Sequence, residues 1–285
     1  MEKGIMSEQN RKVVLITGAS SGIGKACATH LHEQDYRVYG ASRRLRSHVG
    51  EAGLTHQNFE WIQMDVDQDT SVSRGIEKIL ELENRIDIVV NSAGFGIAGA
   101  VEDTSLDEAK AQFETNFFGA LRVCRVVTPV MRRQRSGLIV NISSIAGSIP
   151  IPFQAIYSAS KSALAGLSEA LRLELRPYGV HVVVFELGDF NTSFTDNRQK
   201  ALESGENPAY VTNFERALAV MENDERHGPS PDKIAFLLER IIQTPTPRPR
   251  YSVGPLFERI AYKLKGFLPA RLFEWGVMKY YNISS

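Results

Sequence analysis

The chain has 285 residues, 43% of them apolar, and its 33 Lys and Arg balance 33 Asp and Glu to a net charge of zero. That is enough material for a sizeable core in one domain, or two at most, without the basic excess of a general nucleic-acid binder. The short basic clusters Arg43, Arg44, Arg46 and Arg132, Arg133, Arg135 need only local explanations, the simplest being a solvated surface.

Cys27 and Cys124 are the only cysteines, which excludes a disulfide scaffold or a cysteine-rich zinc module and fits a reducing cytoplasm. His30 and His32 stand two apart on a helical pattern and do not share a face, so no metal site is expected. The polar segment Met1 to Lys12 lacks the apolar stretch of a signal peptide, which argues against secretion. An uncharged run from Ser136 to Ser160 contains Asn141, Gln154, Pro150 and Pro152, too many polar groups and helix breakers for a membrane span.

In chain order, the apolar run Val13 to Ile16 predicts a strand, followed by a Gly/Ser turn and a helix from Ile23 to about Glu33. Strands follow at Arg37 to Ala41 and Phe59 to Met64, a helix at Val72 to Leu82, a strand at Ile86 to Asn91, and one long helix from Leu106 to Met131. Strand Leu138 to Ile142, helix Ser158 to Leu175 and strand Val180 to Glu186 complete the series. Continuously apolar strands alternating with helices predict an α/β fold with a doubly wound parallel sheet.

Residues 191–229 are polar and only weakly periodic and read as a lid inserted over a site. Ser230-Pro231-Asp232 then starts a helix reaching Ile242, and Arg250 to Val253 reads as an edge strand. The expected division is a main domain over 12–254 and a helical extension over 255–285.

Thr17-Gly18-Ala19-Ser20-Ser21-Gly22-Ile23-Gly24 places three glycines between a strand and a helix, where backbone approaches a phosphate and helix-start amides face it. The second strand ends in Ser42-Arg43-Arg44, with no acid to bond a ribose 2′-hydroxyl and with guanidinium groups able to grip a 2′-phosphate. NADP(H) is therefore favoured, with NAD(H) as the alternative. Tyr157 and Lys161 share one face of a helix, so the ammonium is expected to lower the phenol pKa toward neutrality for proton exchange. Ser144, thirteen residues before Tyr157, offers a hydroxyl to a substrate carbonyl.

The glycine turn, Asp65-Val66, Asn91-Ser92-Ala93-Gly94, Asn116, Ile142-Ser143-Ser144 and Tyr157-Ser158-Ala159-Ser160-Lys161 resemble, in order and spacing, the short-chain dehydrogenases/reductases. The resemblance is strong from Lys12 to about Thr192 and weaker to Val253. It implies a single Rossmann-type domain in which Tyr157 is the general acid/base, Lys161 tunes it and binds the nicotinamide ribose, and Ser144 orients the substrate oxygen. It also implies that Asn116 holds a water in a proton relay. Cofactor contacts are implied at Gly18, Ser20, Ser21, Gly22, Ile23, Gly24, Arg43, Asp65, Val66, Asn91, Ala93, Gly94, Tyr157, Lys161, Gly188, Phe190 and Thr192. The chain departs from the family at Ser92, usually Asn, and at Leu187-Gly188, usually Pro-Gly.

Phe95-Gly96, Asn116-Phe117-Phe118-Gly119, Met131-Arg132-Arg133-Gln134 and Leu171 to Arg176 are similar to the branch containing 17β-hydroxysteroid and retinol dehydrogenases. The implied reaction is hydride transfer between nicotinamide and a bulky apolar secondary alcohol or ketone. Phe95, Phe153, Phe190, Phe194, Tyr210 and Phe214 are candidates for an apolar pocket. A non-catalytic NADP(H)-binding redox sensor, or the same chemistry on sugars or acyl chains, are the competing readings. The carboxyl-terminal segment from Leu256 to Tyr281 mixes apolar residues with Lys and Arg at helical spacing. It fits an interfacial membrane helix, a cover over the substrate cleft or a contact with a second subunit. The resemblance further implies a homodimer or homotetramer, while the cysteine usage fits a cytoplasmic chain and the carboxyl-terminal segment leaves peripheral membrane contact open.

Overall fold

In a computed structural model of the chain, residues 11–44 and 59–283 are described. Arg46 and the polar segment up to Asn10 lie outside them. The apolar runs form β1 (Val13–Thr17), β2 (Arg37–Ser42), β3 (Phe59–Gln63), β4 (Ile88–Asn91), β6 (Gly137–Ser144), β7 (Val180–Leu187) and β9 (Arg250–Val253). They pair in parallel in the order β3-β2-β1-β4-β6-β7-β9. The order reverses beside β1, leaving a crevice at the carboxyl ends of β1 and β4, where ligands bind in sheets of this kind.

Side chains alternate across each strand, so β1 feeds two cores. Val14 and Ile16 pack with α1 (Gly22–Glu33) and α7 (Asp232–Ile242), through Cys27, Leu31, Ile234 and Leu238. Val13 and Leu15 pack on the other face with α2 (Asp69–Glu83), α4 (Ala120–Gln134) and the end of α5 (Ala155–Leu175). Burial on both faces is why these strands read as unbroken apolar runs. Cys27 and Cys124 are free and buried, and burial pushes each thiol up to about 12.

Several boundaries depart from expectation. β4 begins at Ile88 rather than Ile86, because the Gln134 side chain serves both backbone groups of Ile86, accepting from its N–H at 3.1 Å and donating to its carbonyl at 2.9 Å. The predicted continuous helix Leu106 to Met131 is α3 (Leu106–Phe113) and α4 joined by a wider π-helical turn, Glu114–Gly119. The predicted lid is more ordered than its composition suggests. Its short strand β8 (Gln199–Lys200) pairs with β5 (Ile97–Ala98), and α6 (Val211–Arg226) buries Phe214, Ala217, Leu218 and Met221. After β9 the chain continues as α8 (Leu256–Leu264) and α9 (Ala270–Tyr280). Among the described residues no helix is long and apolar enough to cross a membrane.

Candidate active site

The turn after β1 is shaped by how closely backbone must approach backbone. Gly18 has φ +65°, and a Cβ there would lie 2.8 Å from the Ala93 Cα. A Cβ on Gly24 would meet the Gly18 carbonyl oxygen at 2.3 Å, so α1 rests directly on the turn. Thr17 fixes the opposite wall, its Oγ1 accepting from the Ser92 and Ala93 N–H groups at 3.1 and 3.2 Å. Ser21 caps α1 without bonding its amides through the side chain. The result is a backbone-lined floor at a helix start, suited to a pyrophosphate.

This floor opens into one cavity of about 1130 Å³. Ligand pockets usually hold about 300–1,000 Å³, so there is room for a dinucleotide and a substrate together. Ser20, Gly22 and Ile23 line it with Gly18 and Ser21, and Arg43 lines it just beyond the end of β2. Val66, Ala93, Gly94, Gly188, Phe190 and Thr192 also face it. Thr192 crosses the cavity mouth, its Cβ 3.5 Å from where a Gly22 Cβ would stand.

Other expected contacts point elsewhere. The Asn91 amide is buried behind the wall, donating to Asn141 Oδ1 at 2.8 Å, and Asn141 donates in turn to Ser168 Oγ at 2.7 Å. Asp65 bonds locally, its carboxylate accepting from the Asp67 N–H at 3.2 Å, while Asp67 lines the cavity instead. Asp67 went unremarked in the sequence because the family motif ends one residue earlier. Burial pushes its carboxyl up, while Thr115 and Arg43 hold it down.

The reacting groups converge at the other end. Ser144 ends β6, its hydroxyl donating to the Leu187 carbonyl at 3.1 Å and accepting from the Ala146 N–H at 3.1 Å. Tyr157 and Lys161 project from the first turns of α5, and Lys161 Nζ donates to the Ile142 carbonyl at 2.9 Å. Asn116 lies on the π-helical turn, which aims its amide at the Phe95 backbone, accepting from the N–H and donating to the carbonyl, both at 3.0 Å. The same amide donates to Ser160 Oγ at 3.2 Å, and Ser160 donates to the Tyr157 carbonyl at 2.7 Å. Asn116 is thus tied to the turn that carries Tyr157.

The electrostatics correct one expectation. Burial drives the Tyr157 phenol above its ordinary value, against the opposing pull of a hydrogen bond with Ser144. The ammonium stands 5.8 Å from the phenol ring centroid and donates one hydrogen bond to the Ile142 carbonyl. Burial alone lowers Lys161 to about 8.

Of the six aromatic pocket candidates, Phe95, Phe190 and Phe194 line the cavity, with Phe194 5.7 Å from Tyr157 between ring centroids. Phe153, Tyr210 and Phe214 instead pack on one another as the core of the lid. The remaining wall comes from α8 and α9, through Ala261, Leu264, Leu272, Phe273 and Val277. That segment covers the cleft, one of the three roles its sequence fitted.

The lining also holds carboxyls that sequence reading missed: Asp189, Glu225 and Glu258. Glu225 is ion-paired to Arg198 and accepts from Thr195 Oγ1 at 2.7 Å. Burial, then the charges of Glu258 and Glu225, hold Asp189 well above the usual carboxylate range, and burial raises Glu258 to about 7.

A doubly wound sheet with a glycine-lined phosphate floor and a Ser, Tyr and Lys group in one cavity defines a nicotinamide-dinucleotide oxidoreductase architecture. Comparison with known proteins agrees. The short chain dehydrogenase family model matches residues 12–203. The chain is 40% identical to 3-ketodihydrosphingosine reductase of Bacteroides thetaiotaomicron, over 95% of this chain and 98% of that one. It is 31% identical to human 17-beta-hydroxysteroid dehydrogenase type 1, over 85% of this chain and 77% of that one. A short-chain dehydrogenase crystal structure from Streptomyces avermitilis superposes with a TM-score of 0.81 at 31% identity, covering 94% of this chain and 96% of the other. The chain belongs to the short-chain dehydrogenase/reductase family, oxidoreductases that bind NAD(P)(H) and act on alcohol and keto groups.

Proposed function

We propose that this chain is an NADP(H)-dependent reductase of long-chain, lipid-like ketones, with Tyr157 as the proton donor. The observation that carries the reading is the position of Ser144 and Tyr157: they meet where a backbone-lined dinucleotide floor joins an apolar chamber walled by Leu264, Leu272, Phe273 and Val277. The name of the Bacteroides relative supports a long-chain keto substrate, and Arg43 at the adenosine end supports NADP(H) over NAD(H).

When bound, the nicotinamide supplies the hydride. Ser144 and Tyr157 hydrogen-bond the substrate oxygen, and the protonated phenol gives its proton as that oxygen gains charge. Lys161 would hold the nicotinamide ribose when the cofactor is bound and would return a proton to Tyr157, with Asn116 anchoring the turn behind it.

The C-terminal segment also exposes Leu256, Phe267, Trp275 and Met278. Residues 255–283 carry five basic side chains against two acidic ones. This favours peripheral contact of a cytoplasmic enzyme with an anionic membrane, from which an apolar substrate would enter the chamber. Phe118, on the π-helical turn before α4, and Leu173, on α5, are exposed along the elements through which we expect a homodimer or homotetramer to form.

Steady-state oxidation of NADPH and NADH with 3-ketones of rising chain length tests the reading. kcat/KM should climb by about fourfold per added methylene until the chamber is filled, since each buried methylene contributes about 0.8 kcal/mol. Equal turnover of short polar and long apolar ketones would contradict it.

A further inference from the structure

The segment that follows β7 folds back beside the proton donor and carries a buried ion pair that proton transfer does not use. Within it the Asn197 N–H donates to the Ser193 carbonyl at 3.0 Å and the Arg198 N–H to the Thr195 carbonyl at 3.3 Å. That turn sets Phe194 and Arg198, four positions apart, on one side. The Arg198 guanidinium lies over the Phe194 ring, 5.5 Å from its centroid, and the ring meets Tyr157 at 5.7 Å with an interplanar angle of 55°. Phe194 Cζ is 2.9 Å from where a Gly96 Cβ would stand, so glycine at 96 is what admits the ring.

The Arg198 side chain is only 2% exposed, and its Nε and Nη1 are buried with no hydrogen-bond partner. Its charge is met by Glu225 near the end of α6, which also accepts from the Thr195 hydroxyl at 2.7 Å, and by the face of the Phe194 ring. A desolvated cation holds a ring more firmly than an exposed one does. The backbone of the segment is fastened without Arg198: the Asn191 amide donates to the Arg226 carbonyl at 2.7 Å, Arg226 pairs with Asp196 at 3.0 Å, and the Gln199 N–H donates to the Gly96 carbonyl at 2.9 Å. What Arg198 adds is the hold on the ring.

That ring enters the cavity from the β4 side, over Gly96, whereas α8 approaches from the β7 and β9 side, where Glu258 meets Gly188 and Gly254. A carbonyl bonded to Ser144 and Tyr157 therefore has a wall against one substituent and the chamber of α8 and α9 open to the other.

We propose that Phe194, backed by the Arg198 and Glu225 pair, fixes which face of the carbonyl meets the nicotinamide, with the smaller substituent against the ring and the larger in the chamber, so that one alcohol enantiomer forms. The inference rests on the ketone reductase reading above and assigns the side chain that sets its stereochemistry. Phe194 touches the substrate, and Arg198 and Glu225 are positioning residues that act through it.

The test uses 2-octanone, whose carbonyl separates a methyl from a hexyl group. With NADPH, wild type should give one 2-octanol enantiomer in about 20-fold excess or more by chiral chromatography, and F194A should cut that excess about tenfold. R198M/E225Q, which leaves neither charge buried alone, should cut it similarly, and adding it to F194A should change nothing further. A racemic product from wild type, or an undiminished excess in F194A, overturns the proposal; a further loss in the triple variant overturns the backing role. NADPH Kd should stay within about twofold in all variants. A fall in NADPH affinity that matches the loss of selectivity would show that the pair only braces the loop carrying Thr192, and would also overturn it. A second arm needs no turnover, because NADPH cannot oxidise an alcohol. The NADPH-loaded protein should bind one 2-octanol enantiomer about tenfold tighter than the other, read by NADPH fluorescence, and F194A should bring the two within about twofold. If no ketone is reduced yet this preference appears and is lost in F194A, the reductase reading fails and the slot stands. If ketones are reduced but both selectivities survive in F194A, the slot fails and the reductase stands.

Discussion

Replacing Lys161 by Met gives a test of the site's electrostatics that needs no substrate. Burial lowers the lysine from 10.5 to about 8, and one pKa unit corresponds to about 1.4 kcal/mol. Between those two values the unfolded chain keeps the proton that the folded chain has released, so wild-type stability rises with pH across that window. Below about pH 8 both states bind the proton, and the full penalty of burying an ammonium, about 3 kcal/mol, is present. The Lys161→Met variant lacks this dependence. Losing the 2.9 Å bond to the Ile142 carbonyl costs the variant a constant amount at every pH, so it drops out of the comparison. Urea unfolding at intervals from pH 7 to 10.5 should therefore show wild type gaining about 3 kcal/mol relative to the variant. A flat difference would mean that Lys161 titrates normally and that its burial is not what sets its charge.

Other outcomes follow from the cavity walls. Gly24→Ala forces a Cβ to within 2.3 Å of the Gly18 carbonyl unless α1 lifts from the turn, so NADPH affinity measured by fluorescence titration should fall about 10- to 100-fold, reflecting about 1–3 kcal/mol of overpacking. Unaltered affinity would show that the turn is not the phosphate floor. Arg43→Ala should weaken NADPH about tenfold or more while leaving NADH within about twofold, a loss of one charge-assisted contact. Equal weakening of both cofactors would remove the 2′-phosphate role. Gln134→Ala strips the partners of both Ile86 backbone groups and should destabilise the fold by about 2 kcal/mol in thermal unfolding, with KM for NADPH unchanged.

What could be read from the sequence was what neighbouring residues decide together. Gly18 to Gly24 and Tyr157 to Lys161 each lie within one turn or one helix, so spacing alone fixes which atoms face the cavity. The sheet was legible because strands buried on both faces lose their polar alternation. Asp189 and Glu258 were not legible, since their meeting depends on α8 returning to the end of β7 and on the missing side chain at Gly188. α6 escaped notice because the acidic and amide residues on its outer face dilute the apolar stripe of Phe214, Leu218 and Met221. The widened turn at Asn116 is likewise held by bonds to Phe95 and Ser160, which no local pattern announces.

The most direct test of the central claim is turnover by Tyr157→Phe with NADPH and 3-ketodihydrosphingosine, set beside NADPH binding by the same preparation. Removing only the hydroxyl should lower kcat by about 10³-fold or more while the NADPH Kd stays within about threefold. Near wild-type turnover in that variant would show that the proton comes from another group and would contradict the mechanism.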